Sequence, residues 1–163
     1  MNERTIQTLI PREFFVTAGV GMDSEQAAAF DFALYDAGIG ECNLVGVSSI
    51  LPVNAIETER SKVTLTPGEI TFCVMSRADG KSGEVIGAGI GYGRMVGENE
   101  SGIICEHHGH HSETYLIAKI REKLYKMAEI RAKDIVVNIL KAKSVEVEEG
   151  KFGSVVVALV FVF

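Results

Sequence analysis

The chain has no surplus of positive charge, no apolar run of the roughly 20 residues that a membrane helix needs, and no paired set of cysteines. Each shortage closes a class of function. Lysine and arginine number 16 against 22 aspartates and glutamates, a formal net charge of -6, so no basic face awaits a nucleic-acid backbone and no nucleic acid is expected as a partner. The acidic balance favours a cationic small molecule, although salt screens that attraction over about 8 to 10 Å. Cys42, Cys73 and Cys105 are odd in number, far apart and without a C-x-x-C pair. That pattern argues against a disulfide framework or a zinc knuckle and for a reducing cytoplasm. Met1-Asn2-Glu3-Arg4 leads into no apolar core of a secretory signal. The apolar run Ser154 to Phe163 is about half a membrane span and reads as a buried strand, so no membrane is expected either. Without internal repeats or low-complexity segments, the 163 residues read as one domain, 1–163, long enough for a single core.

Periodicity supplies the elements. The run Phe14 to Gly21 is strand-prone, and Asp23 or Ser24 is placed to cap a helix with Glu25 and Gln26 in its first turn. Ala27, Phe30, Ala33, Leu34 and Ala37 recur at helical spacing, and Gly38 or Gly40 offers a left-handed end. A strand over 42–51 stops at Pro52, and 57–62 reads as surface loop. Ile70 to Ser76 and Glu84 to Gly93 are expected to pair as a hairpin around Asp79-Gly80. On the second of these, Gly87, Gly89, Gly91 and Gly93 share one face while Ile86, Ala88, Ile90 and Tyr92 share the other, so something must pack very close to the glycine face. Ser101 to His108 is a further strand, and Ser112 opens a helix to about Arg131 with Leu116, Ile117, Ile120, Leu124 and Met127 along its apolar stripe. Strands over 134–146 and 153–163 complete the chain. Strands dominate, and each amphipathic helix needs a sheet to cover. The expected class is α+β: a layered α/β sandwich of mostly antiparallel sheets packed face to face with helices outside.

Three motifs mimic chemistry. Gly80-Lys81-Ser82 ends like a phosphate loop, but Met75 stands where the first glycine belongs, and Tyr92 breaks the dinucleotide spacing of the glycine series. Glu106-His107-His108-Gly109-His110-His111 has the donor types of a transition-metal site, yet an exposed histidine tract before a helix is the commoner meaning, and no metal is assigned.

Ser48-Ser49, within Val47-Ser48-Ser49-Ile50-Leu51-Pro52, supports a different chemistry. A hydroxyl next to an amide carbonyl can attack it where the backbone is held in a strained turn, which converts the amide to an ester. β-Elimination then frees a chain ending at Ser48 and leaves dehydroalanine at 49, which tautomerises and hydrolyses to a pyruvoyl group. Gly46, lacking a Cβ, is placed to let the backbone take up the strain. Four segments together resemble the pyruvoyl-dependent arginine decarboxylase family: Ala29-Phe30-Asp31-Phe32-Ala33-Leu34, Ala37-Gly38-Ile39-Gly40, Asn43-Leu44 with Val47 to Pro52, and Gly102-Ile103-Ile104-Cys105-Glu106. The resemblance runs from about residue 14 to the C-terminus.

The resemblance implies self-cleavage into 1–48 and 49–163, assembly into a homotrimer or dimer of trimers with pocket residues from two neighbouring protomers, and decarboxylation of L-arginine to agmatine for polyamine biosynthesis. Ser49 is then the nucleophile and pyruvoyl precursor, and Ser48 the carbonyl donor. Asn43 is the site asparagine, whose amide could stabilise the oxyanion. The ketone at 49 forms a Schiff base with the substrate and acts as electron sink in place of pyridoxal phosphate, which is not required. Glu106 is the implied proton donor, needing a raised pKa that burial beside Ile103 and Ile104 could give. Asp31 is the implied partner of the substrate guanidinium, with Asp36 one turn away as competitor, and Leu34 and Ile50 line the aliphatic part. The alternatives are decarboxylation of another amino acid such as histidine, and an unprocessed trimeric or metal-binding protein. The histidines at 107, 108, 110 and 111 depart from the family pattern.

Overall fold

The computed structural model describes residues 9–163, so Met1–Arg4 lie outside it. Its elements run β1 (Glu13–Asp23), α1 (Gln26–Asp36), β2 (Asn43–Gly46), β3 (Ile50–Leu51), β4 (Ile56–Glu57), a 3-10 turn (Arg60–Lys62), β5 (Ile70–Lys81), β6 (Val85–Met95), β7 (Gly102–Gly109), α2 (Glu113–Glu129), β8 (Ile135–Glu146) and β9 (Phe152–Val162). The strands form two sheets, in the orders β2-β5-β9-β1-β4 and β3-β7-β6-β8. Most pairs are antiparallel, with β1–β4 and β2–β5 the parallel ones. The sheets face each other, α1 covers β1 and β9, and α2 covers β6, β7 and β8. This is the layered α+β sandwich that the pattern of elements predicts.

Alternation along each strand sorts side chains into three apolar layers. Phe14, Leu51, Ile90, Ile104, Val157 and Leu159 fill the space between the sheets. Phe15, Ala33, Ile39, Cys73, Val156 and Val160 lie under α1, and Ile103, Cys105, Ile120, Leu124 and Ala128 lie under α2. Strand β9 sits mid-sheet with a sheet on one face and a helix on the other, which is why Val155 to Phe161 is uninterruptedly apolar.

The glycine face of β6 meets α2. A Cβ at Gly89 would stand 2.8 Å from Ile120 Cδ1, and one at Gly91 would stand 2.6 Å from Ile120 Cγ2. The same device seats α1, where a Cβ at Gly19 would lie 2.0 Å from the Ala33 carbonyl oxygen. Helix α1 starts one residue later than its cap signal suggests. Glu25 is the cap position and contributes no side-chain bond, while Asp23 accepts the Glu25 N–H at 3.1 Å from just outside. The helix ends as expected at Gly38, with φ +73 and the Ile39 N–H returning to the Leu34 carbonyl at 3.0 Å.

Two expectations fail. Strand β5 runs to Lys81 and β6 belongs to the other sheet, so 70–93 is a connection between sheets rather than a hairpin. Both edges of β5 are taken by β2 and β9, and the chain turns over at Gly83, φ +80. The 42–51 strand is also two strands: β2 belongs to the first sheet and β3 to the second. The serine pair lies in the crossover between them.

Candidate active site

The crossover is tied at both ends. Upstream, the Val47 N–H donates to the Cys73 carbonyl on β5 at 2.9 Å; downstream, the Ser49 carbonyl accepts the Ile104 N–H of β7 at 2.8 Å. The Ser48–Ser49 amide therefore lies within the short segment that crosses from one sheet to the other. Ser48 is exposed and Ser49 half-buried. The strained turn expected at Gly46 is absent: Gly46 lies in β2, no atom of the described residues comes within 4 Å of a Cβ built there, and no residue from 43 to 51 has a left-handed φ. What constrains the serine pair is tethering to two rigid sheets.

Glu106 joins this site from β7. Ile104 points into the space between the sheets, so Glu106, two residues on, faces the same side. It is half-buried, less enclosed than the run beside Ile103 and Ile104 suggests. Ile50, with 45% of its surface exposed, lines with Ser48, Val47, Phe72, Phe161 and Phe163 an apolar cavity of about 340 Å³ beside the crossover. Ser48, Ser49 and Ile50 thus lie together on the crossover, and Glu106 stands two residues along β7 from the Ile104 N–H that binds Ser49.

Asp31, Leu34 and Asn43 do not join this site. Asp31 lies on the exposed face of α1 and makes no ion pair among the described residues. Leu34 is half-buried on α1, packed toward the layer under that helix, and Asn43 sits at the far end of β2, where its amide donates to the Gly68 carbonyl at 2.9 Å. About 10 Å of strand separates Asn43 from Gly46. Asp36 is already engaged: its carboxylate accepts the Val20 N–H at 2.9 Å, closing the part of β1 that β4 leaves open. Of the two carboxylates, Asp31 is the one left available.

The histidines are not a freely solvated loop. His107 is half-buried at the end of β7, stacked on His111 with ring centroids 5.6 Å apart, and His111 stacks on Tyr115 at 4.3 Å. Among the described residues no group of three His, Cys, Asp or Glu side chains is arranged to hold a metal ion. Burial pushes the Cys73 and Cys105 thiols up to about 11, so both stay protonated, apolar core residues. No described helix is long and apolar enough to cross a membrane.

The family model for pyruvoyl-dependent arginine decarboxylase matches residues 13–163. The chain belongs to that family. It is 35% identical over 164 residues to pyruvoyl-dependent arginine decarboxylase 1 of Methanosarcina acetivorans, covering 96% of this chain and 99% of that protein. It is 43% identical over 103 residues to the pyruvoyl-dependent arginine decarboxylase of Methanococcoides burtonii, 61% of this chain and 57% of that one. A third relative, pyruvoyl-dependent arginine decarboxylase 1 of Archaeoglobus fulgidus, is 40% identical over 105 residues, 63% of this chain and 67% of its own length.

Beyond the residues that carry the family resemblance, the structure brings two others to the site. Arg94 of β6 donates to the carbonyls of Pro52 at 3.1 Å, Val53 at 2.9 Å and Ala55, clamping the segment that follows Ser49. Its signal was its parity, since it continues the inward face of Ile90 and Tyr92, where a cation needs acceptors. Lys123 of α2 reaches the Glu106 carbonyl, and nothing in the helix pattern marks it.

Proposed function

We propose that this chain cuts itself between Ser48 and Ser49 and, in the resulting form, decarboxylates L-arginine to agmatine and carbon dioxide, a step toward polyamines. The observation that carries the reading is the crossover: one amide held between two sheets, with Glu106 on the adjoining strand. Ser49 Oγ attacks the Ser48 carbonyl carbon, and the amide nitrogen takes the proton as the ester forms. Loss of the Ser49 α-proton expels the Ser48 carboxylate, and water then replaces the nitrogen of dehydroalanine, releasing ammonia.

The residues fit a pyruvoyl group at 49: a half-buried position, a cavity alongside, and the 49 carbonyl already receiving an N–H. The group supplies a ketone that condenses with the substrate α-amino group and draws off the electron pair as carbon dioxide leaves. Glu106 returns a proton to the substrate α-carbon, and Ile50 contacts its methylenes. Pyridoxal phosphate has no part in the scheme.

Asp31, Leu34 and Asn43 lie apart from this group within one protomer, so a complete site needs a neighbour to supply them. A homotrimer, or a dimer of trimers, built on a head-to-tail contact does so three times over with one surface pair. The exposed Phe32 and Tyr35 beside Asp31 suit burial at such a contact. The free thiols suit the cytoplasm. The test is intact mass spectrometry before and after borohydride reduction with arginine. Two chains, 1–48 and 49–163, with an adduct on the larger, are expected. Ser49→Ala should abolish both, and active material with an uncut chain would overturn the reading. Competition among arginine, lysine, ornithine and histidine tests the substrate, and preference for one without a guanidinium would remove Asp31 from its role.

A further inference from the structure

On β7, the Ile104 N–H points toward β3, where it meets the Ser49 carbonyl. Backbone groups two residues along a strand point the same way, so those of Glu106 face the same edge. Among the described residues no strand covers them there, because β3 pairs only with Ile103 and Gly102. The Glu106 carbonyl is met instead by Lys123, whose Nζ donates to it at 3.2 Å and to His107 Nδ1 at 3.0 Å. An ammonium offers no acceptor, so this contact requires neutral His107 with its proton on Nε2. The ring is held by its stack on His111. From the opposite sheet, the fully buried Ser76 hydroxyl donates to the His107 carbonyl at 2.8 Å. One amine and one hydroxyl thus fix the two successive carbonyls that follow the Glu106 side chain, one on each edge of β7.

We propose that Lys123 is a positioning residue for the proton donor Glu106, and that neutral His107 keeps Lys123 in place. The proposal rests on Glu106 being the donor. The groups around His107 are Lys123, Lys119 and Tyr115 from α2, His111 from the connection and His108 on its own strand; β6 and β5 bring Gly89 and Ser76, neither charged. Burial and then the cationic neighbours, Lys123 foremost, hold the His107 pKa below the ordinary imidazole value of 6.5. Near neutrality the clamp is closed. Acidification below that pKa turns Nδ1 into a donor, repels the ammonium and releases the Glu106 backbone.

The test uses the processed enzyme with arginine, reading kcat, KM, extent of cleavage, melting temperature and pH profile. Lys123→Met should be cut as the parent is and melt within about 4 °C of it, the effect of one lost hydrogen bond, yet lose kcat by about tenfold or more with KM within about twofold, the cost of a misplaced proton donor. Lys123→Arg, which can reach the same carbonyl, should recover most of it. His107→Gln keeps an acceptor without a titrating ring, so it should retain kcat near neutrality and lack the acid limb that the parent shows below His107's pKa. Parent-like kcat in Lys123→Met, or an unchanged acid limb in His107→Gln, overturns the proposal, and the second variant decides if the first fails to fold. If Glu106→Gln turns over normally, the donor assignment has failed; if Glu106→Gln is slow and Lys123→Met is not, only the positioning role has.

Discussion

Arg94 ties three carbonyls of the segment after Ser49, and its replacement by methionine should loosen that segment by an amount hydrogen exchange can read. A bond from a charged donor contributes about 1.5 to 3 kcal/mol. Three do not add here, because the turn is open at Val53, 38% exposed, and its carbonyl regains water once the guanidinium is gone. Ala55 is only 3% exposed, and its carbonyl has less access to that compensation. The net loss is therefore near one such bond, about 2 kcal/mol. At 1.4 kcal/mol per decade that is roughly a 30-fold change in an opening equilibrium. The reporter is the Ala55 N–H, which closes the turn on the Pro52 carbonyl at 3.2 Å. Measured in a Ser49→Ala background, so that one uncut species is present, Ala55 should exchange roughly 30-fold faster in Arg94→Met while Val157 in mid-β9 keeps its protection. Ala55 exchange within about threefold of the parent would refute the clamp, since less than 1 kcal/mol would then rest on it.

The two aspartates of α1 should separate cleanly. Asp31→Ala is expected to raise KM for arginine by about tenfold or more through loss of a paired carboxylate–guanidinium contact, with no change in melting temperature. Asp36→Ala should spare KM and lower the melting temperature by about 2 to 4 °C, the effect of about 1 kcal/mol in a chain of this size, because the Val20 N–H loses its acceptor. Gly19→Ala places a Cβ against the Ala33 carbonyl, a backbone atom that cannot rotate aside. Seating α1 should then cost about 3 kcal/mol, a fall of roughly 6 to 12 °C in calorimetry. A melting temperature within about 2 °C of the parent would mean that α1 does not rest on β1 as described.

Local signals proved readable where the physics is local. The alternating glycines of β6 announce a close neighbour because side chains alternate strictly along a strand, and α2 is that neighbour. The Ser112 cap holds, accepting the Tyr115 N–H at 3.3 Å. Sheet membership was not readable. Cys42 to Leu51 has the composition of one strand, and Asp79-Gly80 the look of a hairpin, but which strands pair is decided by edges already occupied elsewhere in the sequence. The motifs put Ser49 and Ile50 beside each other in the chain, and the pairing of β3 with β7 sets Glu106 on the neighbouring strand. The family resemblance implies a pocket shared by two protomers, but motif order carries no distances and so did not mark Asp31, Leu34 and Asn43 as the residues set apart. Lys123 was invisible because its task is set by a carbonyl on another element.

The ordering of strands in the five-stranded sheet governs what becomes of a chain opened after residue 48. The shorter piece holds β2 and β1, first and fourth in the row, with β5 and β9 of the longer piece between them and β4 beyond. Strand β1 stays zipped to β9 over eleven register pairs from Glu13 to Asp23. The fragments are interwoven like fingers of clasped hands, so severing the covalent thread leaves no loose part to diffuse away. Two separately translated polypeptides with the same break have the strand pairing needed to reassemble this sheet on mixing.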